Sequence, residues 1–314
     1  MTGGRSPRVV AIGGGTGLAT ALRAIRHYAS DVTAIVTVAD DGGSSGELSR
    51  TLGILPPGDL RKCLLALLPR GSSRLSDLLE YRFPSGPLRG HALGNLVIAA
   101  LADLEGGMSE AVEWLGRLLG TEGRVLPVCR DPVRLVAETD RGVLVGQHTI
   151  TNSQARILRV RLDPENPPAT AGVLETIEAA DQIVLGPGSL FTSVIPPLLA
   201  EGVTDAIRSS KATVVYVCNL ICQPGETSGL SVADHLGALL SHGIRVDAVI
   251  YHPWGTDAPP GAVQEGDLEK LGVLSWPCDV ARADQPHLHR PEALAAALAA
   301  LFESSVQVTG RSHS

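Results

Sequence analysis

Val9-Val10-Ala11-Ile12 runs without a polar residue into Gly13-Gly14-Gly15-Thr16-Gly17, and Leu18 opens an amphipathic stretch. An apolar run of this kind is buried on both faces, the condition of a central strand in a parallel sheet. The glycine turn then carries the chain into a helix. The pattern recurs. A β-branched run at 32–39 ends in Asp40-Asp41-Gly42-Gly43-Ser44-Ser45-Gly46, and another at 182–185 ends in Gly186-Pro187-Gly188-Ser189. Such repetition specifies an α/β fold: a Rossmann-like, mostly parallel sheet with helices on both faces.

The alternation predicts further strands at 213–218, 246–251 and 273–276, with helices at about 17–28, 230–242 and 291–303. Between 56 and 120 the periodicity is helical throughout, at 59–68, 75–81, 91–104 and 108–119. That block reads as a helical insertion between two halves of a sheet. Short strands at 124–129, 134–138, 142–145 and 156–162 make a small β-hairpin region. The expected layout is a disordered N-terminus at 1–7, one domain at 8–303 and a disordered tail at 304–314.

Composition narrows the function classes. Hydrophobic residues are 44% and charged residues 19%, with a net charge of −7 and 3% aromatics. There is no basic stripe and no stacking platform, so a nucleic-acid partner is not expected. No apolar run reaches the length of a membrane span. Five cysteines at irregular spacing argue against a disulfide framework and a zinc site. With no signal peptide in view, a cytoplasmic protein is expected.

The chemistry gathers at the turns. Glycines 13, 14, 15 and 17 remove the Cβ atoms that would hold an anion off the backbone. The helix after them aims unpaired N–H groups and its positive dipole end at the turn, and Thr16 adds a hydroxyl. The turn is not GxGxxG, because Leu18 stands where the third glycine belongs. It is not a Walker A loop, because no lysine precedes Lys62. The plainer reading is a connecting turn.

Adjacent strand residues face opposite ways, so one of Asp40 and Asp41 can meet a ligand while the other braces the loop. A ligand-facing carboxylate here can take a ribose hydroxyl or hold Mg²⁺ against a diphosphate, and Gly42, Gly43, Ser44 and Ser45 can form an anion nest. A turn with acidic caps is the alternative. Asp59 reads as the cap of the helix that follows it. His91 reads as the start of a helix, where the dipole favours a neutral imidazole, with Asn95 one turn on; a packing histidine is the alternative. Gly186, Gly188, Ser189 and Leu190 read as a second anion cup or a capped turn. Asn219 and Thr227 lie in the loop after the next strand, polar where a ligand would sit, or simply connecting. No GxSxG elbow or HExxH occurs, so no nucleophile stands out.

These stretches occur in a fixed order: Ile12-Gly13-Gly14-Gly15-Thr16-Gly17, Asp40-Asp41-Gly42-Gly43-Ser44-Ser45-Gly46, Pro56-Pro57-Gly58-Asp59-Leu60-Arg61, Gly90-His91-Ala92-Leu93-Gly94-Asn95, Gly186-Pro187-Gly188-Ser189 and Gln223-Pro224-Gly225-Glu226-Thr227. Together they resemble the bacterial gluconeogenesis factor family (YvcK-like), in the superfamily of 2-phospho-L-lactate transferase (CofD-like). The resemblance covers about residues 8–300. It implies a UDP-sugar-binding regulatory protein, with UDP-N-acetylglucosamine or UDP-glucose as ligand, needed for cell shape and peptidoglycan synthesis on gluconeogenic carbon sources. It implies no established catalysis. A cell-wall synthesis or regulatory protein is the expected partner, and the chain is expected to form a homo-oligomer. No cofactor is certain beyond Mg²⁺ accompanying a diphosphate. By resemblance the ligand contacts come from Gly13 to Gly17, Asp40 to Ser45, Asp59, His91, Gly94, Asn95, Gly186, Gly188, Ser189, Leu190, Asn219 and Thr227, with Asp40 and Asp41 as metal ligands. Leu288-His289-Arg290 departs from the family's Arg-His-Asp, and the tyrosine expected near 264–268 is missing. Both changes fall on sugar or uracil contacts. A Mg²⁺-dependent transferase resembling the phospholactate enzyme is the alternative. An NAD-dependent dehydrogenase ranks below both.

Overall fold

The computed structural model describes residues 6–311. Residues 1–5 of the expected N-terminal stretch and 312–314 of the expected tail lie outside that range. From the N-terminus, strand β1 (Arg8–Gly13) leads into helix α1 (Gly15–Ile25), and β2 (Asp31–Val36) leads into five helices. These are α2 (Gly43–Leu52), α3 (Pro57–Ala66), α4 (Ser73–Glu80), α5 (Leu93–Leu104) and α6 (Met108–Leu119). Strand β3 (Arg124–Pro127) follows, then β4 (Arg134–Thr139), β5 (Gly142–Val145), the short α7 (Gln147–Thr151) and β6 (Ile157–Asp163). The alternation resumes with α8 (Val173–Glu178), β7 (Gln182–Leu185), α9 (Val203–Ser209), β8 (Thr213–Val217), α10 (Val232–Ser241), β9 (Ala248–Tyr251), β10 (Leu274–Pro277) and α11 (Pro291–Arg311).

Seven strands form one parallel sheet in the order β10-β9-β8-β7-β1-β2-β3. The central strands β1, β2, β7, β8 and β9 are buried almost end to end, as their unbroken apolar runs require. Pro277, which cannot donate to a ladder, ends edge strand β10. Helix α1 packs against α3 and α11. The small sheet, β5-β4-β6, is antiparallel and inserted between β3 and β7.

Several expectations are corrected. The segment at 124–129 is not part of the hairpin region; β3 pairs in parallel with β2 at the edge of the main sheet. The segment after Ser189 is not an α-helix. It is a five-residue π-type turn, Leu190–Val194, followed by a 3-10 turn, Pro196–Leu199. Pro196 and Pro197 supply no N–H and stop an α-helix from forming. Helix α11 runs on to Arg311, through most of the stretch expected as a tail. All five cysteines are free thiols.

In a parallel sheet the strand order reverses where successive connections leave in opposite directions. Here that point lies between β1 and β7. The carboxyl ends of these two strands therefore open a crevice, and both are followed by glycine turns.

Candidate functional site

The two turns touch each other. A Cβ on Gly17 would sit 2.2 Å from the Pro187 carbonyl oxygen, and one on Gly14 would sit 2.5 Å from Thr37 Cγ2 and 2.7 Å from Asp59 Oδ2. Those two glycines are required by chain packing. Gly15 differs: its φ is +67° and a Cβ there would meet nothing within 4 Å. It is the glycine of the turn that faces open space. Between the turns lies a cavity of about 300 Å³, lined by Thr16, Gly17, Gly188, Asn219, Gln223 and the 287–289 segment.

Asp59 does not cap its own helix. It is the third residue of α3, and its carboxylate Oδ2 accepts the Gly15 N–H at 2.7 Å while Oδ1 takes Lys62 Nζ at 2.9 Å. A carboxylate at the N-terminus of α1 is stabilised by the helix dipole. It takes the first donor of the turn and leaves the following N–H groups for a ligand.

Asp40 and Asp41 lie beyond β2 rather than on it, so strand alternation does not separate them, yet they do diverge. Asp41 Oδ1 accepts the His148 N–H at 2.7 Å, and its carbonyl accepts from Arg50. It ties the loop to α7. Among the described residues Asp40 accepts only the Gly42 N–H, at 3.1 Å. Burial pushes its carboxyl pKa up, and the Asp59 charge pushes the same way. A divalent cation between Asp40 and Asp59 would relieve that repulsion. Among the described residues no group of three or more His, Cys, Asp or Glu could hold a metal. A Mg²⁺ here would need the rest of its shell from phosphate and water, its usual mode. The Asp41 charge also raises the Asp40 pKa, less than the Asp59 charge does.

A second cluster adjoins the loop. Ser44 Oγ and His91 Nδ1 share a hydrogen bond of 3.0 Å, and Asn95 Nδ2 donates to Ser44 Oγ at 3.1 Å. His91 Nε2 lies 3.5 Å from Glu47 Oε2. His91 precedes α5 by two residues instead of opening it. Ser45 is buried, and its Oγ would lie 2.1 Å from a Cβ on Gly58. Gly43 has φ +49° and open space beside it.

The second cup is filled by the chain itself. Glu226 Oε1 accepts the N–H groups of Phe191 and Thr192 at 2.9 and 2.8 Å. Burial lifts the Glu226 pKa to about 7, opposed by hydrogen bonds from Thr192, Phe191 and Ser189. Asn219 clamps Gly188, its Oδ1 accepting the Gly188 N–H and its Nδ2 donating to the Gly188 carbonyl. Thr227 Oγ1 accepts the Gln223 N–H, and Leu190 is wholly buried. A Cβ on Gly94 would meet Arg61 Cδ at 2.7 Å. The structure thus places Asp41, Ser45, Gly94, Leu190 and Thr227 in the framework, and brings Gly13 to Gly17, Asp40, Asp59, Gly186, Gly188 and Asn219 around the crevice. Sequence reasoning reached the 288–290 segment only through the family resemblance, and missed His287 as lining and Glu226 as the occupant of the second cup. Only the polar loop at 223–227 hinted at the latter. Burial holds the His289 pKa down to about 4, so its imidazole is neutral.

Sheet order and crevice define a Rossmann-like α/β protein with a polar crevice at its topological switch point. A family model described as 2-phospho-L-lactate transferase CofD matches residues 9–268. Proteins described as "Putative gluconeogenesis factor" align over most of the chain. One from Thermotoga maritima is 49% identical over 234 residues, 74% of each chain. One from Mycobacterium tuberculosis is 43% identical over 311 residues, 92% of this chain and 89% of the relative. One from Nostoc sp. is 46% identical over 253 residues, 79% of this chain, and the match spans 55% of the relative's own length. A crystal structure of a UPF0052-family protein from Bacillus halodurans has a TM-score of 0.89 at 37% identity, covering 95% of this chain and 100% of that one. The chain belongs to the CofD family, among the gluconeogenesis factors. Among the described residues no single helix is long and apolar enough to cross a membrane.

Proposed function

We propose that this chain binds a UDP-sugar, UDP-N-acetylglucosamine or UDP-glucose, in the switch-point crevice. It acts there as a cytoplasmic regulatory protein that links the supply of envelope precursors to cell shape and peptidoglycan synthesis during growth on gluconeogenic carbon. One observation supports this reading above the others: the cavity runs from Thr16 and Gly17 in the first turn of α1, past Gly188 and Asn219, to the neutral imidazole of His289. An anion at the turn and a heterocycle or sugar toward 287–289 match a nucleotide sugar laid across the switch point. Mg²⁺, when bound, would neutralise the diphosphate and anchor it to the two carboxylates.

The test is calorimetric titration with UDP-N-acetylglucosamine, with Mg²⁺ and with EDTA, followed by recovery of the ligand. Binding in the micromolar range with intact ligand is expected, and Asp40→Asn should weaken it by about tenfold or more, or about 1.4 kcal/mol. Absence of binding to either UDP-sugar would remove the reading.

A Mg²⁺-dependent transferase is the second reading. It is favoured by the Ser44–His91–Glu47 chain beside the carboxylate pair, an arrangement that can polarise a hydroxyl. Consumption of the UDP-sugar, lost in His91→Gln, would select it.

A further inference from the structure

A second cavity adjoins this site. It is about 320 Å³ and lies between α1 and α3, lined by Thr16, Arg23, Arg61, Lys62, Glu80 and Arg82. Four cations face one carboxylate. Lys62 is already paired with Asp59, so the cleft keeps a positive excess, in a chain whose net charge is −7. Among the described residues neither Arg23 nor Arg82 has an ion-pair partner; Arg82 donates to the Gly90 carbonyl.

Arg61 is the telling member. It is 4% exposed, its Nη1 donates to the Leu79 carbonyl at 3.2 Å, and its buried Nε has no partner. A guanidinium stays charged in proteins, and a buried charge is normally paired. The nearest carboxylate of the glycine site, Asp59, is committed to Gly15 and Lys62. Yet the fold makes room for this cation. A Cβ on Gly94 would stand 2.7 Å from Arg61 Cδ and 2.8 Å from the Leu79 carbonyl oxygen, so glycine at 94 seats the arginine. Sequence gives no warning of the cluster, because its members come from α1, α3 and the segment after α4.

We propose that this cleft is a second anion subsite, which takes a phosphate group of a small ligand on Arg23, Arg61 and Arg82. Paired guanidinium forks match phosphate geometry better than they match water. Thr16 lines both this cleft and the crevice, so the subsite opens beside the N-terminus of α1. The phosphate has two possible sources: the far end of the molecule lying in the crevice, or a separate phosphorylated molecule. The subsite itself does not depend on the nucleotide-sugar reading.

The experiment titrates inorganic phosphate into the full chain by calorimetry and follows the arginine Nε–H signals by NMR. Saturable binding that moves a buried Nε–H signal is expected. Arg23→Gln combined with Arg82→Gln should weaken it by about tenfold or more, since each removed arginine takes charge-assisted bonds with it. Both residues are exposed, so the double variant should melt like the parent, and Lys270→Gln, remote from the cleft, should leave binding unchanged. Failure to saturate, or binding that survives the double variant, would overturn the proposal. The titration is then repeated with UDP-N-acetylglucosamine present. Phosphate that still binds points to a separate ligand, and phosphate that is displaced shows that the cleft holds part of the crevice ligand. Should UDP-N-acetylglucosamine itself not bind, the functional reading falls while the phosphate titration still decides the subsite.

Discussion

Gly17→Ala is expected to lower the melting temperature by roughly 5 °C and to abolish binding in the crevice, the scale set by about 3 kcal/mol of overpacking. The new methyl would lie 2.2 Å from the Pro187 carbonyl oxygen and 2.6 Å from its carbon. Both are backbone atoms, so no rotamer change relieves the clash. The turns after β1 and β7 must separate, and these two strands are hydrogen-bonded neighbours at the centre of the sheet. Gly15→Ala is the matched contrast. It meets nothing within 4 Å, but it carries a left-handed φ of +67°. Its stability cost is about 1–2 kcal/mol, while its methyl enters the space left for a ligand. Thermal melts and calorimetry on the two variants separate turn packing from ligand approach. A Gly17→Ala protein that melts within about 2 °C of the parent would show that the turns do not meet as described.

This contrast shows how far the glycine run was legible. The run marks the strand–turn–helix unit because glycine clusters follow few other structures. It does not reveal which glycines serve the chain and which face the ligand, since that depends on Pro187, about 170 residues further on. The same limit applies to Asp59. Local spacing makes it a cap for α3, but its carboxylate reaches back to Gly15. The strands at β1, β2, β7, β8 and β9 were readable because burial on both faces leaves an unbroken apolar run. Strand β3 was not. Arg124–Pro127 is four residues long, ends in proline and looks locally like the hairpin strands just after it. What assigns it to the main sheet is parallel pairing with Thr33–Val36, a contact invisible to periodicity. The basic cleft was hidden for a related reason: its four cations are spread from residue 23 to residue 82 on three separate segments.

The chain places its own carboxylates where a phosphate would otherwise sit. Asp59 takes the first donor of α1, and Glu226 takes the N–H groups of Phe191 and Thr192. The two differ in burial. Glu226 is 7% exposed, and desolvation raises its pKa from 4.5 to about 7 against the pull of its donors. A carboxyl whose folded pKa lies above its unfolded value holds its proton more tightly in the folded chain. Its contribution to stability is complete below about 4.5 and is lost as pH rises through about 7. The full span corresponds to about 3 kcal/mol.

Glu226→Gln should therefore match the parent near pH 4 and exceed it near pH 8, by up to about 3 kcal/mol or roughly 5 °C in melting temperature. The amide oxygen can still accept the two backbone N–H groups, so the turn keeps its anchor. Buried His235, His242 and His289, whose pKa values are lowered from 6.5, pull the other way in acid. The quantity to read is accordingly the difference between the two proteins at each pH, which cancels the histidines. Parallel curves would mean that Glu226 stays ionised across the range. In that case its hydrogen bonds, not its burial, set its charge, and the turn after β7 would carry a fixed negative charge where the sequence suggested an open anion cup.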